Sequence, residues 1–326
     1  MTCSNDGARL NELTPEAAIL TPPQIEAYYR DGFSFPHQAL TAAELEDCRE
    51  GLVRFETWLG KPVNHGDWRW RSQAYAFLPW LDKLIRHPRI LDAIEDVIGP
   101  NILVFTTTFF IKDAHSPTFA AWHQDATYFG IEPYEHVTAW VALSDATEEA
   151  GCMEVVPSRG QPRQLRHAAL GLEHSINGGG QEIVDDFNES DTVMMAVPAG
   201  SFSLHHTLCT HRSAPNRADY RRVGIGISYI PAHCRITSPV RMLTPLVRGE
   251  NTGGHFDILP PPIEGEFHAA AIARHEDAYR RYRDNYAFQI DAHDRAFAGS
   301  GAAPTPRSTL DPSRHLVGKV ASYGGF

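Results

Sequence analysis

The ordered triplet His-x-Asp occurs four times in this chain, at His65/Asp67, His123/Asp125, His255/Asp257 and His275/Asp277. An imidazole and a carboxylate so spaced can grip one cation where the backbone between them is extended, because alternate residues of a strand point the same way. With 17 histidines in the chain, chance pairs are common and context must decide. His275/Asp277 falls in an Ala- and Arg-rich helical pattern running from Glu266 to about Tyr286, where residues two apart point to nearly opposite sides. His65/Asp67 flanks Gly66 in a loop between helices, and His255/Asp257 follows Gly253-Gly254 in another loop, so both read as solvated polar groups. Only His123/Asp125 lies in a β-rich region. It needs a third donor, and His205, His206 and His211 in Ser203-Leu-His-His-Thr-Leu-Cys-Thr-His211 are the candidates. Two imidazoles and one carboxylate on one face of a metal leave positions open for a co-substrate and dioxygen, as in non-heme Fe(II) oxygenases. A surface His-Asp pair beside core histidines is the plainer alternative.

Downstream of His211 the run Arg-Ser-Ala-Pro-Asn-Arg-Ala-Asp-Tyr-Arg-Arg222 leads into an alternating strand. Val223, Ile225, Ile227 and Tyr229 form its apolar face, and Arg222, Gly224, Gly226 and Ser228 the other. That second face is small except for one guanidinium. It leaves room for a ligand and aims a bidentate cation at a carboxylate, whereas Arg221 lies with the packed side.

The elements that must position these groups fall into two regions. Residues 1–20 read as a loose end. Thr21-Pro-Pro opens a helix near Gln24–Asp31, Thr41-Ala-Ala-Glu44 is a capping box leading to about Trp58, and a third helical pattern spans Pro79 to Ile98 before Gly99-Pro100. From residue 101 the chain turns β-rich, at Ile102–Ile111, Val137–Leu143, Cys152–Pro157, Thr192–Val197 and Arg222–Ile230. The spacing between most of these strands is too short for crossover helices, which predicts an antiparallel sandwich or barrel. His167–Asp191, with Gly178-Gly-Gly180, reads as a flexible excursion of the kind that lies over active sites. The expected organisation is one domain over 21–295, with a helical part at 21–100, a β core at 101–235 and a C-terminal loop and helix at 236–295, followed by a tail at 296–326 that includes linker-like Gly299–Pro306.

Composition narrows the function. The 326 residues carry a formal net charge of −11, which argues against nucleic-acid or anionic-membrane partners and for a small-molecule ligand. Five scattered cysteines without a CxxC pair indicate neither a disulfide framework nor a zinc ribbon, and no signal peptide or long apolar stretch is evident, so a cytoplasmic protein is expected. Trp68, Trp70, Tyr75, Phe105 and Phe129 could wall an apolar pocket, although core packing is the simpler role for any one of them.

Taken together, Trp122-His-Gln-Asp125 with Tyr128-Phe129, Thr138-Ala-Trp-Val-Ala-Leu143, Gly151-Cys-Met-Glu-Val-Val-Pro-Ser158, and His211-x-Ser213-x-Pro-Asn216 with Arg222 resemble the phytanoyl-CoA dioxygenase family of Fe(II)/2-oxoglutarate oxygenases. The resemblance spans roughly residues 23–290. It implies a β-rich α+β fold, the double-stranded β-helix or jelly-roll barrel with flanking helices. It implies iron ligands at His123, Asp125 and His211, a 2-oxoglutarate clamp at Arg222, and Gln124, Trp140 and Ser213 at positions lining the co-substrate pocket. Fe(II), 2-oxoglutarate and dioxygen are the cofactor and co-substrates implied. The chain departs from many relatives at Pro157-Ser-Arg-Gly160, where Pro-Gly-Ser-His is common. Its Val247–Phe256 segment is more similar to bacterial members acting on specialised metabolites and amino acids than to those acting on acyl-CoA. His205 shares parity with His211, which suggests a supporting or substrate-facing role. The expected reaction is hydroxylation of a small metabolite or amino-acid-like substrate, and Asp125 argues against halogenation, since halogenating relatives carry a small residue there. Ring closure, desaturation, epoxidation or demethylation would use the same scaffold, and a non-catalytic jelly-roll binding protein is the alternative of another class.

Overall fold

The computed structural model describes residues 20–177 and 181–296. Apart from Leu20 and Ala296, the loose end and the tail expected from the sequence lie outside the described residues, as does Gly178-Gly-Gly180. The helices are α1 (Pro22–Asp31), α2 (Ala42–Leu59), α3 (Trp68–Arg71), α4 (Pro79–Ile85), α5 (Pro88–Ile98), α6 (Ala126–Phe129) and α7 (Ala269–Ala296). The principal strands are β1 (Phe33–Gln38), β2 (Ile102–Lys112), β3 (Ala120–His123), β5 (Val137–Ala142), β6 (Met153–Val156), β9 (Val193–Met195), β10 (Ser201–His206), β11 (Thr210–Ser213), β12 (Arg222–Pro231) and β15 (Leu246–Arg248). Six short strands complete the set: β4 (Ile131–Glu132), β7 (His167–Ala169), β8 (Gln181–Ile183), β13 (Arg235–Ile236), β14 (Leu243–Thr244) and β16 (Asp257–Ile258).

Two antiparallel sheets face each other as a jelly roll, a six-stranded one in the order β1-β10-β5-β12-β2-β15 and a four-stranded one in the order β3-β11-β6-β9. On β12 the apolar face foreseen from the alternation is turned outward. Ile225, Ile227 and Tyr229 join Val104, Val141 and Leu204 in a core closed by Phe55 of α2, Leu81 of α4 and Ile94 of α5. The opposite face of the same sheet is left to line the barrel interior. A register shift where Ser228 opposes Thr106 and Tyr229 opposes Val104 skips Phe105, and Phe105 instead packs among the tyrosines of α7.

The helix expected over Pro79–Ile98 is two helices. Pro88 lacks an N–H and forces the preceding His87 into an extended conformation, φ −61° and ψ 124°, so α4 ends and α5 restarts. The capping box at the start of α2 is present, with Glu44 N–H donating to Thr41 Oγ1 at 3.3 Å and Thr41 N–H donating to Glu44 Oε2 at 2.9 Å. The C-terminal helix extends well past its expected end at Tyr286, to Ala296. The excursion over 167–191 contains the paired strands β7 and β8, and its Ser175, Ile176 and Asn177 reach the barrel interior. Among the described residues no helix is long and apolar enough to cross a membrane.

Candidate metal centre and co-substrate pocket

The barrel interior holds a cavity of about 190 Å3 lined from both sheets and from α7. At one end β3 and β11 are paired so that His123 stands opposite His211, with ring centroids 4.0 Å apart. His123 Nδ1 is 2.8 Å from Ala121 O, and His211 Nδ1 is 2.9 Å from Cys209 O. Each carbonyl can only accept, so both Nδ1 atoms carry the proton and both Nε2 lone pairs are free for a cation. The ligand atoms of His123, Asp125 and His211 lie within 4.8 Å of one another.

Asp125 arrives there differently from the strand alternation expected. The chain leaves β3 at His123, and Asp125 adopts a helical conformation (φ −60°, ψ −33°) at the start of α6. A strand-to-helix corner therefore brings the carboxylate beside the imidazoles. Burial alone would raise its pKa. The His205 hydrogen bond and the adjacent imidazoles outweigh burial and hold it well below the ordinary carboxylate range. His123 and His211 are both depressed by burial, His211 also by its neighbouring histidines. A carboxylate flanked by two neutral imidazoles is the protonation state a metal requires.

Of the other third-donor candidates, His205 places Nε2 3.4 Å from Asp125 Oδ2, and Thr138 Oγ1 donates to the same oxygen at 3.2 Å. His205 therefore orients the carboxylate and stands outside the three-donor cluster. His206 turns away, its Nε2 2.5 Å from Tyr134 O and its Nδ1 accepting from Leu208 N–H at 3.2 Å. The remaining His-x-Asp pairs are spent locally. His65 pairs with Asp113 at 2.7 Å, His275 stacks on Trp70, and Asp257 is held by Arg241 and Arg281. A second group of possible donors, Glu135, His233 and Cys234, contains a direct His233–Glu135 contact of 2.9 Å between two exposed side chains.

Across the cavity Arg222 is 3% exposed. One of its Nη atoms donates to Gly151 O, its Nε is buried without a partner, and its guanidinium lies 5.4 Å from the Trp140 ring centroid. Burial pushes its pKa down to about 10. Lys112 stands directly opposite it on β2 and was not singled out by the sequence. Its Nζ is 2.8 Å from Ser213 Oγ and also reaches Ala214 O. Burial and the Arg222 charge push Lys112 down to about 5. The nearby Glu154 is committed to Arg212 at 2.8 and 3.0 Å. A buried guanidinium thus stands beside a buried amine whose protonated form is disfavoured, with no carboxylate paired to either among the described residues, a place that an incoming anion neutralises.

Trp140 and Ser213 line the cavity, and Gln124 does not. Gln124 departs from its expected position because its amide is spent on backbone, Nε2 donating to Arg163 O and Leu208 O and Oε1 accepting from Leu165 N–H. The small face of β12 is also used differently than expected. A Cβ at Gly224 would lie 1.9 Å from Trp140 Cζ2, so that glycine makes way for the indole, whereas Gly226 and Ser228 face the cavity. Arg221 is on the far side, bound to Glu56 and Asn64 at 2.6 Å each. Of the five aromatics considered, Trp68 and Phe129 reach the cavity and the other three are core. Sequence reading missed Tyr279, Tyr282, Arg283 and Tyr286 of α7. Their i, i+3, i+4, i+7 spacing marks one helix face.

The model of the phytanoyl-CoA dioxygenase family matches residues 28–224, more than half of the chain, and the protein belongs to that family. Among curated relatives, a probable alpha-ketoglutarate-dependent hypophosphite dioxygenase of Stutzerimonas stutzeri is 26% identical over 49% of this chain and 56% of its own length. The chain spans about half the length of the curated relatives it matches. Among solved structures, the non-heme monooxygenase ThoJ superposes with a TM-score of 0.71 at 31% identity, covering 82% of this chain and 99% of the other. The carbocyclase SnoK from nogalamycin biosynthesis, at 22% identity and a TM-score of 0.52 over 67% of this chain and 86% of its own, shares the fold.

Proposed function

We propose that the protein is an Fe(II)- and 2-oxoglutarate-dependent oxygenase that hydroxylates a small molecule, with His123, Asp125 and His211 holding the iron and Arg222 the far carboxylate of 2-oxoglutarate. The observation that carries the reading is the pairing of the two ends of one cavity. One end offers two free Nε2 atoms and a carboxylate within 4.8 Å, and the other offers a buried guanidinium with an unpartnered Nε and, among the described residues, no paired carboxylate. When bound, the iron and 2-oxoglutarate together supply the oxidising power.

The chain's residues do the positioning. Ala121 O and Cys209 O fix the two imidazoles, while His205 and Thr138 fix the Asp125 carboxylate. Arg222, held over Trp140 and tied to Gly151 O, presents donors toward the co-substrate. Lys112 braces Ser213 on the same wall. The walls from β2, β5 and β12 and the tyrosines of α7 exclude water from the reacting region. Asp125 in the carboxylate position supports oxygen transfer to substrate over halogen transfer.

The test is Fe(II)-dependent formation of succinate from 2-oxoglutarate under dioxygen by the wild-type protein, with His211→Ala alongside. Wild-type turnover lost in the variant is expected. Equal succinate from the two proteins would refute the assignment, and none from the wild type would favour a jelly-roll binding protein.

A further inference from the structure

The cavity contains another buried cation that neither the metal nor the co-substrate uses. Arg283 lines the cavity from α7 and is 8% exposed, with its guanidinium 4.6 Å from the Tyr286 ring centroid. Its Nε and Nη2 are both buried without a hydrogen-bond partner among the described residues. Those two atoms form a single edge of the guanidinium, the edge that takes an oxyanion through parallel hydrogen bonds. Buried donors are ordinarily satisfied, so an unpartnered pair on a residue that lines a cavity marks a place where a ligand completes the site. The α7 carboxylates Glu276, Asp277, Asp284 and Asp291 are each paired elsewhere, with Arg69, with Arg280 and Arg281, with Arg280, and with Arg295.

Charge balance points the same way. In the loaded centre the formal charges of Fe(II), Asp125, dianionic 2-oxoglutarate and Arg222 cancel. Arg212, also on the cavity wall, is closed off by Glu154. Arg283 is left with a positive charge that nothing in the loaded centre matches, and a partly desolvated wall holds such a charge at a cost unless the ligand brings the counter-charge. From Arg283 to the metal centre the wall is aromatic, since Arg283 lies over Tyr286, Tyr286 stacks on Tyr128, and the Tyr128 ring centroid is 6.2 Å from that of His123, with Tyr279 and Tyr282 lining the same cavity. The Tyr128 hydroxyl is itself buried and unpartnered.

We propose that Arg283 anchors an oxyanion of the substrate, a carboxylate or a phosphate, while the rest of the substrate lies along the tyrosine wall toward the metal centre. The proposal rests on the oxygenase reading for where the reacting end must lie. Arg283 becomes the specificity-determining residue of that pocket, distinct from the co-substrate clamp on β12.

The test is anaerobic calorimetry on the full chain loaded with Fe(II) and saturating 2-oxoglutarate. The probes are 3-phenylpropanoate, phenyl phosphate and the neutral 3-phenylpropanamide. At least one anion is expected to bind the wild type more than tenfold tighter than the amide, and the tighter of the two distinguishes carboxylate from phosphate. Arg283→Gln is expected to weaken that anion roughly 10- to 100-fold and leave the amide unchanged, and Arg283→Lys to fall between because a point charge replaces the fork. The affinity for 2-oxoglutarate is expected to be the same in all three proteins. An anion held no better than the amide by the wild type, or equally well by Arg283→Gln, overturns the anchor, and so does a loss of 2-oxoglutarate affinity in Arg283→Gln. Should Arg283→Gln not fold, the wild-type comparison of anion with amide decides alone. A wild type that takes up no 2-oxoglutarate refutes the oxygenase reading itself, whereas normal uptake with anion and amide bound alike refutes only the anchor.

Discussion

Replacing Arg222 separates binding from folding more cleanly than any other substitution in the cavity. The guanidinium is 3% exposed, faces Lys112 across the β2–β12 ladder, and has one acceptor among the described residues, Gly151 O. It therefore contributes little net stability to the empty protein, because its charge is desolvated and meets no carboxylate among the described residues. Toward a carboxylate the balance reverses. Each hydrogen bond to a charged group contributes about 1.5–3 kcal/mol, so a bidentate pair amounts to roughly 3–6 kcal/mol. At about 1.4 kcal/mol per decade, Arg222→Ala should weaken 2-oxoglutarate by roughly 10^2- to 10^4-fold, and Arg222→Lys, which keeps a point charge, by about the square root of that. The thermal midpoint of the ligand-free Arg222→Ala protein should stay near that of the wild type. Arg221→Ala is the mirror control. It breaks contacts of 2.6 Å to Glu56 and Asn64 on the outer face, so it should lower the midpoint and leave 2-oxoglutarate affinity alone. Calorimetric titration of the iron-loaded proteins, with thermal unfolding alongside, reads both quantities. Affinity within threefold of wild type in Arg222→Ala would refute the clamp, and a large drop in its midpoint would refute the claim that the cation is structurally uncompensated.

Three further outcomes are expected. His211→Ala should lose iron on dialysis, while His205→Ala should keep about one equivalent per chain with lowered turnover, because His205 reaches Asp125 and stands outside the three-donor cluster; iron loss in His205→Ala alone would reassign the third ligand. Once a substrate is in hand, products formed under labelled dioxygen in chloride-rich buffer should carry the oxygen label and no chlorine, and a chlorine isotope pattern would sink both the Asp125 ligand role and the hydroxylase reading. Burial pushes His167 down to about 3 and His275 down to about 4, below the unfolded value near 6.5. The unfolded chain therefore takes up protons first as pH falls, so the stability these residues contribute is complete above about pH 6.5 and is lost toward pH 4. The thermal midpoint should fall over that window, and a flat profile between pH 7 and 4.5 would show that these histidines are not buried as neutral rings.

Several parts of this architecture were legible because they are written in local periodicity. The two-residue alternation from Arg222 to Tyr229 correctly divided β12 into an outward apolar face and an inward small one, while spacing too short for crossover helices gave an antiparallel sandwich or barrel and the family resemblance supplied the jelly roll. The motif region from Trp122 to Asp125 pointed to the right neighbourhood, but the geometry there is a strand-to-helix corner, which alternation does not encode. Gln124 shows the opposite limit. A polar residue between two candidate ligands looks like part of the pocket, yet three backbone groups of neighbouring loops claim its amide, and sequence does not reveal which loops will be adjacent. Lys112 was passed over because its role depends on cross-strand register with Arg222. The tyrosine face of α7 was visible in its spacing, but nothing local distinguishes a helix face that covers a core from one that closes a cavity.

That division has a mechanical consequence. The candidate metal donors come from β3, the corner into α6, and β11, and the proposed anion clamp comes from β12, so ladder hydrogen bonds fix both ends of the proposed co-substrate site. Facing them, α7 supplies one wall beside Trp68 and the Ser175–Asn177 segment, and a Tyr128–Tyr286 stack (centroids 5.3 Å apart, interplanar angle 2°) joins it to the metal corner. Substitutions on the sheets should therefore alter iron retention or 2-oxoglutarate affinity, while substitutions on the inward face of α7 should alter which molecule is oxidised and leave both of those unchanged. A scaffold built this way can keep its oxidising centre rigid while one helix face varies with substrate, because strand pairing and helix packing are specified by different residues.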